Sequence, residues 1–578
     1  MTLLDNQKLP HEFPRRYIPA QIDLGHWPSL EPIFSELEKR PLASVEDLKR
    51  WLEDLQELED VLDEEGSVRY VRMTCQTDDP SIEKKYLDFL ETVSEPSKPL
   101  FFALMKKYWE SPHRLSLPEK TFGLYNRGVK NQLALYRPEN TPLETQLDKL
   151  SQQYQKLSGT LTVSYEGREQ TLQQMARYQE SPDRVQREET WRLVAERRLK
   201  DKDAFENLFD QMLKLRVRTA KNAGFDNYRD YMFRRKERFD YGPKDCERFH
   251  ESAEKAIRPL VLKIQAKRAQ KMGLETLRPW DLSVDPEGLA PLKPFETTEK
   301  LVEGCQTILG QVDPEFGVNF QKMRDLGLLD LESRKGKAPG GYNTTLSETR
   351  LPFIFMNSVG LDGDMRTLLH EGGHAMHGVA SRTIPFSAYR HAPMEFCEVA
   401  SMSMELLADP YLAAFYPSPQ DAARSAHKHL EDVILLLPWI ATVDAFQHWI
   451  YTHPDHSPRE RSDYWVSLRE RLGGAEDWTG LEEARRNLWH RQLHIFEVPF
   501  YYVEYGIAQL GALQVWKNVR ERGADGIAAY KRGLSVGGSL PLPEIFRSAG
   551  IQFDFSQGII EALMEEVQKE LARLESLS

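Results

Sequence analysis

Cysteine is scarce: Cys75, Cys246, Cys305 and Cys397 are the only four in 578 residues, and no two stand in CxxC spacing. Neither a disulfide framework nor a thiolate zinc site is indicated, and a reducing cytoplasm is the compartment expected. Long hydrophobic runs are also missing. The most apolar stretch, "VILLLPWIA" at 433 to 441, is too short for a bilayer core of about 30 Å. It contains Pro438, so it reads as a buried helix pair and no membrane partner is expected. Positive charge is in deficit, with 76 Lys and Arg against 89 Asp and Glu, net −13. A partner bound by neutralising phosphates is thereby disfavoured, and no nucleic acid is expected. The opening "MTLLDNQKLPHEFPRRYIPAQ" has no basic region followed by an apolar core, so no export signal is expected. Internal repeats, phosphate-cradling glycine loops and Ser/His/Asp patterns are absent as well.

What is present is a soluble globular composition, 40% hydrophobic and 29% charged, in a chain long enough for more than one lobe. Residues 30 to about 158 read as helix. In "SVEDLKRWLEDLQELEDVLDE", Ser44 is a candidate N-cap, and Leu48, Trp51, Leu52, Leu55 and Leu58 recur at three- and four-residue spacing. Its acidic end, "ELEDVLDEEG", reads as a solvated face. "LTVSYEGREQTL" alternates about Glu166-Gly167 and predicts a β-hairpin. Helical signals resume near Arg184 and reach a C-cap at Gly224. The basic clusters "FRRKER" (233 to 238) and "QAKRAQK" (265 to 271) read as solvated helix faces. "LRPWDLSVDPEGLAPLKPF" predicts irregular chain, and "SQGIIEALMEEVQKELARL" a closing amphipathic helix capped by Ser556. Two regions are expected: 1–183, helical with a short hairpin, and 184–578, which carries the chemistry.

The chemistry centres on "TLLHEGGHAMH", 367 to 377. Residues four apart on a helix lie one turn apart on nearly one face, so His370 and His374 can direct two imidazoles at one ion. Glu371 projects to the side, where a water on that ion would sit, within reach for proton abstraction. A catalytic zinc takes three protein ligands and keeps one open position. The candidates for the third are His377, His391, Glu395, Glu398 and Glu405. His377 lies about 10.5 Å along the axis from His370, awkward for one tetrahedral ion, so it is assigned a supporting position. "APMEFCEVASMSMELLAD" opens a second helix at Pro393 and keeps Glu395, Glu398, Met402 and Glu405 on one broad face. Glu398 and Glu405, seven apart, suit a ligand and its supporting residue. The metzincin spacing is excluded, because its glycine and third histidine positions hold His377 and Ala380. Gly372 and Gly373, each costing about 1 kcal/mol in a helix, predict close approach of a strand or a substrate backbone. "GGYNTTL" and "LPFIFMN" would offer a sheet edge on which a peptide adds as a strand, with Gly340, Gly341 and Tyr342 binding it.

"DMRTLLHEGGHAMH" resembles the metal-site signature of peptidase family M3, and most closely its oligoendopeptidase F branch. "FCEVASMSMEL", "NAGFDNYRDYMF", "LRPWDLSVDP" and "PGGYNTTL…LPFIFMN" are similar to segments of the same branch, which the chain resembles from about Arg184 onward. The resemblance implies a mostly α fold: two helical lobes enclosing a deep substrate channel, with a small β element beside the histidine helix. It implies one Zn2+ per chain held by His370, His374 and Glu398, with Glu371 as base and Asp364, His377 and Glu405 in supporting positions. "HIFEVPFYYVEYG" is similar to the branch's histidine followed by clustered tyrosines, so His494 and Tyr505, with Tyr501 or Tyr502, would stabilise the oxyanion and hold the peptide. On a helix Tyr501 and Tyr505 share a face and Tyr502 nearly does.

The expected activity is zinc-dependent hydrolysis of internal bonds in short unstructured peptides, by a cytoplasmic monomer or small homo-oligomer. Two rivals remain: a noncatalytic helical peptide-binding protein with a structural metal, and a thermolysin- or aminopeptidase-type enzyme with Glu405 as third ligand.

Overall fold

The computed structural model describes residues 4–577. Helices make up most of it, and the strands number five among the described residues. The chain divides into two compact units, each assembled from three segments: 1–133, 293–422 and 511–553 in one, and 134–292, 423–510 and 554–578 in the other.

In the first unit the helix Val45–Cys75 starts at Ser44, whose hydroxyl accepts the Asp47 N–H at 3.1 Å. Leu48, Trp51, Leu52, Leu55 and Leu58 are all buried in its core. The acidic stretch that follows is only in part the solvated face its composition suggests: Glu59 and Asp63 are exposed, whereas other carboxylates turn to partners. Glu57 takes the backbone N–H groups of Arg16, Tyr17 and Ile18. Asp60 pairs with Arg390 at 2.7 Å, and buried Glu64 accepts the N–H groups of Glu348 and Thr349 at 2.9 and 2.7 Å. These carboxylates satisfy loop donors that have no strand or helix to bond to, work that a sequence pattern does not reveal.

The same unit holds a three-stranded sheet. Leu351–Ser358 is its central strand, parallel to Leu329–Glu332 and antiparallel to Tyr342–Leu346. Seven of its eight residues are buried, the composition expected of a strand covered on both faces. "LPFIFMN" is therefore not an edge, and the outer edge on that side belongs to Tyr342–Leu346.

In the second unit "TVSY" and "REQT" pair as the predicted hairpin, turning through Glu166 and Gly167 at φ of 52° and 72°, the mirror-image geometry that matches strand twist. Gly224, at φ 86°, closes the helix Lys202–Asn222. Its N–H bonds to the Lys221 carbonyl, and the Phe225 N–H bonds to that of Ala220. The apolar run around Pro438 departs from expectation. It is one uninterrupted 34-residue helix, Pro419–Thr452, and not a pair. Proline removes one backbone bond and costs about 3 kcal/mol, which burial of Ile434, Leu437, Ile440 and Ala441 around it offsets. By length and composition this helix could cross a membrane, but 78% of its most apolar window is buried inside the protein. At the last helix, Gln557–Glu575, Ser556 stands at the N-cap position without a side-chain capping bond and donates to Asp554.

Candidate metal centre

The histidine helix, Asp362–Ser381, is fixed at its start by Asp364, whose Oδ2 accepts the N–H groups of Val359, Gly360 and Leu361 at 2.7, 2.8 and 2.9 Å. Negative charge in the first turn also favours the helix dipole. Asp364 thus holds the strand-to-helix turn that delivers His370 to its place. The glutamate helix, Met394–Ala408, begins after Pro393 as expected and is held by the buried Tyr530 hydroxyl, which donates to the Ala400 carbonyl at 2.6 Å.

These two helices touch backbone to backbone. A Cβ on Gly373 would stand 2.6 Å from the Ser401 Cα and 2.7 Å from the Ala400 carbonyl oxygen. The glycine pair therefore answers to a neighbouring helix, where a strand or substrate backbone was expected. Gly372 meets only the Leu309 side chain at ordinary distance, and the strand approaches one turn later, where a Cβ on Gly378 would lie 2.6 Å from the Thr345 Oγ1.

The close approach places Glu398 between the two imidazoles. Its Oε2 is 3.3 Å from His370 Nε2 and 3.5 Å from His374 Nε2, and the rings stand 4.9 Å apart and nearly perpendicular. Ligand atoms about 2.0–2.1 Å from a tetrahedral zinc lie about 3.3 Å from one another, so Glu398 stands from each imidazole at the spacing such an ion demands. Glu405 faces the other nitrogen: its Oε1 is 2.7 Å from His370 Nδ1. A proton on Nδ1 bonded to Glu405 leaves the Nε2 lone pair directed at the shared point. His391 and Glu395 stand outside the group, and His377 is buried edge-on against Phe396 at 5.8 Å.

The two carboxylates and the imidazoles set one another's charge. Burial pushes the Glu398 carboxyl up, but hydrogen bonds from His370 and His374 outweigh it and hold the group well below the usual carboxylate range. Burial opposes charge on His370, yet the carboxylates of Glu398 and Glu405 raise its pKa well above the ordinary value. Glu371, 8% exposed, is raised by burial against the pull of His370 and His374. His377 falls to about 3 through burial, reinforced by His374 and His391, and is neutral. Two residues of this centre escaped the sequence reading. Ser401 Oγ donates to Glu398 Oε2 at 3.0 Å, and Arg366 donates to Asp409 at 2.5 Å and to the Glu405 carbonyl at 3.2 Å. Their signal was helical spacing alone, three residues after Glu398 and four before His370.

At the sheet edge, Gly340 turns at φ 97° and Gly341 would bring a Cβ within 3.4 Å of the Phe355 carbonyl oxygen. The Tyr342 phenol is 2.6 Å from Thr74 Oγ1, and its ring stacks on Phe355 at 4.8 Å.

In the second unit the predicted histidine and tyrosines form their own cluster. The His494 ring lies 4.7 Å from Tyr502, 5.9 Å from Tyr501 and 6.0 Å from Tyr505, and Tyr505 is 5.2 and 5.5 Å from Tyr501 and Tyr502. No shared helix face gathers them, because the helix starts only at Val503. The chain bends at Phe500, a buried non-glycine at φ 62°, whose N–H donates to Gln447 at 2.8 Å and whose carbonyl accepts from Arg238. Arg238, expected on a solvated face, is buried there and also pairs with Glu504 at 2.7 Å. Gln492 lies 2.7 Å from His494 Nδ1. Burial first, then Lys236, drops the His494 pKa to about 4, leaving a neutral imidazole.

A His/His/Glu cluster shared by two helices in contact defines a candidate metal centre. The family model for peptidase family M3 matches residues 177–565, and that for the M3 N-terminal domain matches 25–136. The chain belongs to peptidase family M3, in its oligoendopeptidase F branch. The solved structure of PZ peptidase A with an inhibitor is 29% identical and superposes with a TM-score of 0.87 over 98% of this chain and 100% of that one. The oligoendopeptidase F homolog of Borreliella burgdorferi is 25% identical over 252 residues, 41% of each protein. The oligopeptidase PepF of Bacillus subtilis is 22% identical over 323 residues, 55% of this chain and 47% of that protein. The chain thus matches about half the length of these curated relatives.

If the two helices meet through Gly373, then Gly373→Ala should destabilise the protein by about 1–3 kcal/mol through overpacking, while Gly372→Ala should be neutral or slightly stabilising. Equal midpoints for the two variants in urea unfolding would contradict the helix-contact account.

Proposed function

We propose that this chain is a zinc-dependent oligoendopeptidase that cuts internal bonds of short unstructured peptides in the cytoplasm. The observation that supports it most is the position of one Glu398 oxygen, 3.3 and 3.5 Å from the Nε2 atoms of His370 and His374. In this reading those three residues hold the ion, and region 184–578 carries the catalytic machinery. Zinc bound there would supply Lewis acidity and bring the pKa of a water from 15.7 toward about 7. Glu371, poised as a base by its burial, takes a proton from the attacking water as the new C–O bond forms. It then returns that proton to the amine as the C–N bond breaks.

Glu405 holds His370 by Nδ1 and keeps its other nitrogen aimed at the ion, which argues against Glu405 as the third ligand. Neutral His494 and Tyr505, with Tyr501 or Tyr502 beside them, serve as donors to the developing oxyanion, where one donor contributes roughly 3 kcal/mol. The edge strand that begins at Tyr342, with Gly340 and Gly341 leading into it, pairs with the peptide backbone.

Mass spectrometry of a mixed peptide library, with and without a chelator, should find internal cleavages that vanish on metal removal. Glu371→Gln should keep wild-type metal content and lose about 10²–10⁴-fold in turnover. Products that persist without metal, or a Gln variant of normal rate, would refute the mechanism. For the ligand set, Glu398→Ala should abolish zinc binding at this centre, whereas Glu405→Ala should weaken it about 10–100-fold. The reverse ranking in metal titrations would install Glu405 as ligand and remove Glu398.

A further inference from the structure

The second unit contains a second cluster of metal-ligating groups, remote in sequence from the HExxH stretch. The helix Pro243–Ser252 carries Cys246 and His250, and the long helix Pro419–Thr452 carries Asp444 and His448. Each pair is spaced four apart, in "CERFH" and "DAFQH", so each helix presents two ligating side chains on one face. The helices bring the pairs together: Cys246 Sγ, an Asp444 carboxylate oxygen and a His448 ring nitrogen lie within 4.8 Å of one another. His250 Nε2 stands 2.8 Å from Asp444 Oδ2.

As a set of hydrogen bonds the cluster is incomplete. Asp444 is 0% exposed, yet its Oδ1 has no partner. His448, 6% exposed, is 3.3 Å from Asp444 Oδ2 through Nε2, but neither of its ring nitrogens makes a hydrogen bond. A buried carboxylate oxygen and a buried imidazole left this way are costly, because neither keeps the water it would have in the unfolded chain. A divalent cation removes that cost. Thiolate and carboxylate together carry two negative charges, which a 2+ ion cancels, and the neutral imidazole completes the donor set.

We propose that Cys246, Asp444 and His448 form a second, buried metal site, suited to zinc or a similarly soft divalent ion. Thiolate with imidazole favours zinc over magnesium or calcium. A tetrahedral zinc sets such ligands about 3.3–3.7 Å apart, so atoms within 4.8 Å of one another need move by about 1 Å at most. His250 bonds the Asp444 carboxylate at 2.8 Å, a contact of the kind that orients a ligating group. The site also has a neighbour of consequence. The Phe500 ring packs 5.6 Å from His448, and Gln447, next along the helix, accepts the Phe500 N–H. An ion here would brace the bend that delivers Tyr501, Tyr502 and Tyr505, and its role is structural.

The test is spectroscopic and uses the full chain loaded with Co2+. The His370/His374/Glu398 centre offers only nitrogen and oxygen, so a near-ultraviolet thiolate-to-cobalt charge-transfer band reports the second site alone. Two metal equivalents per chain and such a band are expected. Cys246→Ala should lose the band and one equivalent, and His370→Ala/His374→Ala should keep the band and lose the other. One equivalent without a charge-transfer band in the unmodified protein would overturn the proposal, as would a band that survives Cys246→Ala. Should a variant fail to fold, the stoichiometry and spectrum of the unmodified chain still decide the matter.

Discussion

The first unit depends on one intimate contact, the histidine helix lying against the backbone of the glutamate helix at Gly373, Ala400 and Ser401. A side chain at that position would overlap the Ser401 and Ala400 backbone and force the helices apart. Glu398, one turn from the contact, would then be carried away from the imidazoles it now bisects. The helix-destabilising glycine is the condition for a carboxylate from one rod to reach two histidines on another. Around that contact the structure spends side-chain bonds on orientation: Asp364 pins the turn before the helix, Glu405 fixes His370, and Ser401 fixes Glu398.

Buried charge is used the same way elsewhere. Glu64 and Glu57 satisfy loop N–H groups that no regular element could pair, and Arg238 holds the Phe500 carbonyl while neutralising Glu504. Each of these residues sits in a stretch whose composition reads as a solvated face. Burying a charged residue is favourable only when its partner is present, and the partners here lie 39 to 41 residues away for Glu57 and more than 200 away for Glu64 and Arg238. A local pattern of charges holds no information about such partners. That is why Glu64 and Arg238 are buried in runs whose other charged residues, such as Glu59, Asp63, Arg234 and Arg235, are exposed as their composition suggests.

The same distinction accounts for the long helix and the sheet. Proline at 438 is a strong local signal for a break, and it was overruled by the packing of apolar side chains on every side of it. The strand "LPFIFMN" was visible as a strand from its unbroken apolar run. That run also describes a central strand better than an edge, because a strand covered on both faces has no reason to alternate. The tyrosines near 501 were legible as a group, though a bend with a left-handed Phe500, and no common helix face, is what assembles them.

The amino-acid sequence by itself determined what depends on near neighbours along the chain. The amphipathic helices, the Glu166-Gly167 hairpin, the Ser44 cap and the four-residue spacing of His370 and His374 all follow from periods of two and 3.6 and from turn geometry. Family membership follows too, since a motif of fixed spacing is read without knowing where it folds. The tertiary structure alone decided which nitrogen of His370 meets Glu398 and which meets Glu405, that Gly373 faces a helix, and that Cys246 stands beside Asp444 and His448. Those are distances between elements, set by how whole surfaces pack, and no local propensity encodes them.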